Sequence, residues 1–178
     1  FIFFFFTAKK EFTAEKESGN VELSFTFDGS LLGGKAVVVF EKLFYGEKEI
    51  TCHEDLTDKD QTVSFEKPEI KTSASDQATG TKEGIAQKEV TIVDKVQYFH
   101  LIVGKEYVIK GVLMDKETGK PFLVDGKEVC AEKTFVAEGK EGNVELSFTF
   151  DGSGLDGKEI VVFEKLYHAG VEIASHED

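Results

Sequence analysis

Tryptophan is absent from these 178 residues, and there are only two prolines, two cysteines and one methionine. So little proline leaves long strands free to pair, because each proline removes a ladder donor. Cys52 and Cys130 are too few for a disulfide framework or a zinc site. They are expected to be buried or half-buried free thiols. Basic residues are also short: 21 Lys and Arg stand against 34 Asp and Glu, a net charge of -13. No basic stripe can replace phosphate counterions, which excludes a nucleic-acid partner. An acidic chain of this kind suits a well-solvated surface protein or an acidic cytosolic one equally. Long apolar runs are missing too. The opening FIFFFF is shorter than a membrane span or a signal's apolar core, and no positive charge precedes it.

What is present is repeated. At a spacing of 123 residues, without gaps, Thr7–Asp55 aligns with Cys130–Asp178. The phrase GNVELSFTFDGS from Gly19 recurs unchanged from Gly142, GKAVVVFEKL returns as GKEIVVFEKL, and EITCHED as EIASHED. Such a repeat indicates tandem modules. Residues 1–66 read as the C-terminal half of one module, with residues 1–6 an artefactual start. Residues 67–178 read as a second module, truncated before its last strand. The linker Phe65–Ile70 contains Pro68, which suits a strand boundary. At this length it favours a stiff rod.

The period within a module is two. Val144–Phe150 and Val21–Phe27 alternate apolar and polar residues, predicting strands with one buried face. Lys88–Tyr98 and Glu106–Leu113 are further strands, rich in β-branched residues. Asp125-Gly126 between two such runs predicts a tight hairpin, and Lys116–Gly119 a longer turn. The fold class expected is all-β: immunoglobulin-like β-sandwich modules in tandem.

The stretch HEDLTDKDQTV, His53–Val63, places a histidine eight residues ahead of a glutamine. Its acidic residues Asp55, Asp58 and Asp60 lack the glycine and terminal glutamate of an EF-hand loop, so a solvated loop is expected rather than calcium. Glu41 and Glu164 each end an apolar VVF run, an unusual place for a carboxylate unless it is paired. Asp94 interrupts a strand and could mark a bulge. His100 and His168 fall in turns and are expected to be solvated.

The ordered phrases PEIKTSASD, TIVDKVQY, GKEYVIKGVLMDKETGKP, VELSFTFDGS, VVFEKL and HEDLTDKDQTV resemble the Thr–Gln ester-bond domain, or VaFE repeat, of Gram-positive surface adhesins. The resemblance spans the chain apart from its first six residues. It implies that a threonine on the first strand attacks the amide of a glutamine on the last, releasing ammonia. A histidine and two carboxylates assist. By matching motifs the threonine is Thr72, in preference to Ser73 or Ser75. The assisting residues are Asp94, Glu164 and His176. The upstream copy supplies Glu41, His53 and the acyl donor Gln61; its threonine lies before the chain start, as the glutamine for Thr72 lies beyond the chain end. First and last strands are implied to be parallel neighbours. That arrangement needs a crossover of about a dozen residues, so Thr72 and Gln61 are not expected to join within one chain.

The resemblance thus implies a structural stalk module of a cell-surface adhesin, stabilised by self-catalysed esters and performing no turnover chemistry. No cofactor and no metal are expected. Partners would be neighbouring modules and, through other domains, a host surface protein; no membrane contact is expected, and the chain should be monomeric. Cell-wall anchoring would come from a sorting signal outside this chain. A ligand-binding adhesin module is the alternative, and would require an exposed apolar patch or long loop. A turnover hydrolase would require an open cleft.

Overall fold

In the computed structural model, which describes residues 6–29, 32–155 and 157–177, every regular element is a strand. The first repeat copy holds β1 (Ala36–Val38), β2 (Glu41–Tyr45), β3 (Lys48–His53) and β4 (Thr62–Ser64). β2 and β3 form a hairpin about Gly46, and β1 pairs antiparallel with β4. The registers join these two ladders into one. From Ala36 to Val38 the partners run from Ser64 to Thr62. Val39 then donates to the Gln61 carbonyl at 3.0 Å, and Glu41 faces His53. One edge strand is therefore interrupted by an excursion, residues 54–60, that returns to the same line.

The second copy builds a sandwich. Its strands are β5 (Glu69–Asp76), β6 (Val90–Phe99), β7 (Glu106–Asp115), β8 (Lys120–Pro121), β9 (Leu123–Val124), β10 (Lys127–Glu128), β11 (Cys130–Val136), β12 (Gly142–Phe150), β13 (Ile160–His168) and β14 (Val171–His176). One sheet has the order β12-β6-β5. The other runs β11-β7-β13-β14, with β8 on the side of β7. Alternating residues of both sheets meet in a core that includes Val96, Ile109, Leu113, Leu146, Phe148 and Leu166, all essentially inaccessible. Burying each such side chain contributes about 1.5–3 kcal/mol. The β9–β10 hairpin turns through Asp125 and Gly126, both at positive φ, 51° and 76°, the backbone that an Asp-Gly pair tolerates best.

Several expectations need correction. Val21–Phe27 forms no strand, although Asn20–Gly29 matches the sequence of Asn143–Gly152. In the second copy this segment is β12, hydrogen-bonded along its length to β6. In the first, no counterpart of β6 stands beside it among the described residues, so the backbone has no ladder to join. Val21 and Leu23 are 43% and 37% exposed, against 6% and 1% for Val144 and Leu146. The linker is also shorter than the sequence suggested, because Glu69 and Ile70 already belong to β5. Both cysteines are free, as expected, but exposed instead of buried. Most of the phenylalanine-rich start, residues 1–5, lies outside the described residues; Phe6 stacks on Phe27 at 4.3 Å.

Candidate functional site

Strand alternation decides which hydroxyl of the KTSAS run faces inward. Ile70 and Asp76 are buried, with Thr72 and Ala74 half-buried on the same side. Ser73 is exposed on the opposite side, where its Oγ accepts from Lys82 Nζ at 3.2 Å. Thr72 Oγ1 lies 3.2 Å from Nδ1 of His176 at the end of β14. The hydroxyl is the natural donor to that nitrogen, which places the neutral imidazole's proton on Nε2. Thr72 and His176 come from the two sheets, so this contact crosses the open side of the sandwich.

Two carboxyls lie behind it. Asp94 faces Ala74 on β5 and Leu146 on β12 in an unbroken ladder, which excludes a bulge there. Glu164 stands directly opposite His176, with Oε2 3.5 Å from Nδ1. Both side chains are fully inaccessible, and if both were ionised their oxygens would have little beyond the nearby Ser73 N–H and Thr72 hydroxyl to offset the burial. A proton between them resolves this, making one carboxyl a donor to the other. Burial, the hydrogen bond to Asp94 and the charge of Asp94 push Glu164 up to about 9. Burial also raises Asp94; its bond to Glu164, the nearby Ser73 N–H, and the charges of His176 and Lys82 pull the other way. The proton therefore belongs on Glu164, with Asp94 accepting. A neutral carboxylic acid at neutral pH is a competent proton donor.

The upstream copy repeats half of this arrangement. Glu41 faces His53 as Glu164 faces His176, each hairpin has an irregularity at the same place, and Glu41 Oε2 is likewise buried without a donor. Lys42 pairs with Glu49 and Glu54 just as Lys165 pairs with Glu172 and Glu177. Gln61 is half-buried where the edge strand resumes beside β1. Thr72 and Asp94 belong to the other module and are not brought to Gln61. The closing strand β4 hydrogen-bonds to β1, whose counterpart in the second copy is the start of β13, rather than to a first strand.

Sequence reasoning missed Asp58. The excursion is not merely solvated: Asp55 Oδ1 accepts from the backbone and hydroxyl of Thr57, and Asp58 Oδ1 accepts from the Asp60 N–H. Asp58 Oδ2 then reaches His53 Nε2 at 3.0 Å. A carboxylate on Nε2 fixes the tautomer that leaves Nδ1 as acceptor, the nitrogen His176 turns to Thr72. The five-residue spacing from His53 was the available signal, obscured by the two neighbouring aspartates. Where an ester forms through such a histidine, Asp58→Asn should slow it on the order of 100-fold or more without unfolding the chain. A time course of ammonia release would measure this. His100 is exposed at a bend, as expected, with its Nδ1 on the Lys67 carbonyl at 2.9 Å; His168 instead lies half-buried at the end of β13, its Nδ1 on the Glu106 carbonyl at 2.9 Å. Among the described residues no His, Cys, Asp or Glu cluster could hold a metal ion.

Among solved structures, a Mobiluncus mulieris adhesin containing intramolecular disulfide, isopeptide and ester bond cross-links is similar in fold. It has 18% identity and a TM-score of 0.54, covering 64% of this chain and 54% of that one. A second crystal form of that adhesin gives the same identity and coverage at a TM-score of 0.49. The chain thus spans about half the length of these neighbours. Among curated proteins none matches. Residues 5–65 and 68–178 match the T-Q ester bond containing domain, two successive copies covering nearly the whole chain, and the protein belongs to that family.

Proposed function

We propose that this chain is part of the stalk of a cell-surface adhesin, whose modules tie themselves with Thr–Gln esters, and that Thr72 is the nucleophile of the second module. The observation that carries this reading is the 3.2 Å contact of Thr72 Oγ1 with His176 Nδ1 beside a buried carboxyl pair. Nδ1 takes the hydroxyl proton as Oγ1 attacks the side-chain carbonyl carbon of a glutamine. Glu164, held neutral, protonates the amide nitrogen. The C–N bond breaks, ammonia leaves and an ester remains, so alcohol plus amide gives ester plus ammonia. A glutamine in the place Gln61 takes opposite Val39 would enter opposite Val162, two residues from Glu164. The product stays where it forms, so each site reacts once and the module is no turnover enzyme. Asp94 and Glu164, with His176, are the assisting groups; Glu41 and His53 are their counterparts upstream.

The family match supports the cross-link, and the fold shared with a bacterial adhesin supports a surface location. Anchoring to the wall, and host contact through other domains, are part of the same reading. Closing a loop of about 100 residues would add about 4–5 kcal/mol by chain entropy, and the tie would let tension bypass the sheet. A ligand-gripping module is less favoured. Within 69–177 the exposed large apolar residues are few: Ile102, Val103, Val136 and Val171 lie at the end of the sandwich where Gly104 bonds Ala137 and His168 bonds Glu106, and Ile85 and Leu123 stand elsewhere.

The test is the intact mass of a chain running from Lys67 to Asp178 and then through residues 56–66. It should come out one ammonia lighter than its composition. A folded sample of full mass would sink the cross-linking reading and leave the sandwich intact.

A further inference from the structure

Gly111 lies in the middle of β7 directly opposite Glu164, in ordinary strand conformation. It is not there to supply an unusual backbone angle. Space is the reason: a Cβ at this position would lie 2.7 Å from Phe148 Cζ and 2.9 Å from Leu146 Cδ1. Both side chains reach across from the facing sheet and are 1% exposed. Leu146 is also the residue paired with Asp94. Side chains directly opposite on paired strands stand about 4.5–5.5 Å apart at Cβ. The ring tip of Phe148 therefore fills the notch beside Glu164, while Leu146 flanks Asp94.

We infer that Gly111 is a positioning residue for the ester-forming site: its missing side chain admits Phe148 and Leu146 as the apolar wall that keeps the Glu164–Asp94 pair dry and sharing a proton. This deepens the cross-linking reading above. The groups near the pair are Thr72 and the Ser73 N–H on β5 and His176 on β14, with the cation of Lys82 acting from the outer side of β5; β12 brings Leu146 and Phe148. On β7 the neighbouring Lys110 points away, towards Glu132 and over the Tyr167 ring. Nothing charged from β7 or β12 can then substitute for a dry wall. A neutral carboxyl needs its water excluded, since hydration favours the ionised form.

The test follows carboxyl titration in the full chain by carbon-13 NMR and the infrared band of protonated carboxyls, neither of which requires an ester to form. Gly111→Ala should displace the wall and lower the apparent pKa of the pair by about one unit or more. Phe148→Leu, which shortens the wall without touching Gly111, should act in the same direction. The double variant should return towards the native titration, because the added methyl occupies the space the ring vacates. If Gly111→Ala fails to fold, Phe148→Leu and the double variant still decide the matter. Folded variants with an unmoved titration would overturn the inference. Moved titration together with a full-mass protein in the ammonia test would uphold the apolar wall around the carboxyl pair, sink the ester reading and with it the role of Gly111 in ester formation.

Discussion

Glu164→Gln will flatten the pH dependence of stability and leave the chain more stable than the native one above about pH 5. The native group is raised from its ordinary 4.5 to about 9, so between those values the folded state binds a proton that the unfolded state releases. Stability is then fully present below pH 4.5, falls as pH rises, and levels off above about 9. One such proton is worth at most about 1.4 kcal/mol per pH unit, and the whole window on the order of several kcal/mol. Burial of Asp94 adds in the same direction. A glutamine keeps the volume of Glu164 and can donate its NH2 to Asp94, so the part of the fall that Glu164 carries disappears. Urea unfolding at pH 5, 7 and 9, followed by tyrosine fluorescence, measures this. A native midpoint that does not decline over the range would show that the carboxyl pair is not holding a proton. The same substitution removes the acid for the leaving nitrogen, so ester formation should fail in the variant of greater stability. Strained or costly groups kept at a site of chemistry are expected to show this exchange of stability for function.

Thr72→Ala will abolish the loss of ammonia from the chain that carries residues 56–66 after Asp178. The contrast with its neighbours makes this specific. Ser73→Ala and Ser75→Ala should leave the mass loss unchanged, because Ser73 lies on the outer side of β5 and Ser75 shares that side by alternation. Thr72→Ser should still react, since it keeps the hydroxyl within reach of Nδ1. Unlinked Thr72→Ala protein should be less stable by about 4–5 kcal/mol, the chain-entropy value of the lost loop. Mass loss persisting in Thr72→Ala, and vanishing in Ser75→Ala, would move the nucleophile to the other face and undo the assignment.

Much of the site was legible because the chain states it twice. Glu41 and Glu164 end identical apolar runs, His53 and His176 lie in matching phrases, and each pair meets face to face across a hairpin. Asp94 was less clear: matched motifs made it an assisting carboxylate, but a carboxylate within a strand can also mark a bulge, and only an unbroken ladder on both sides of it excludes that. Asp58 was hidden among Asp55 and Asp60, two residues of the same type whose side chains do ordinary turn work or face water. What separates them is where a loop returns, a property no spacing rule supplies. Gly111 was equally silent, since its role depends on which ring approaches from the opposite sheet.

The sequence by itself determined what depends on near neighbours along the chain: the period of two, the Asp-Gly hairpin and the repeat. These follow from backbone geometry and alternation. Tertiary structure decided the rest. The same run of residues is a buried strand at Val144–Phe150 and no strand at Val21–Phe27. A strand's hydrogen bonds are made with another strand, so its own sequence can prepare one face for burial but cannot provide the partner. The carboxyl pair obeys the same rule, for Asp94 and Glu164 are 70 residues apart in sequence and acquire their shared proton only when two sheets exclude water around them.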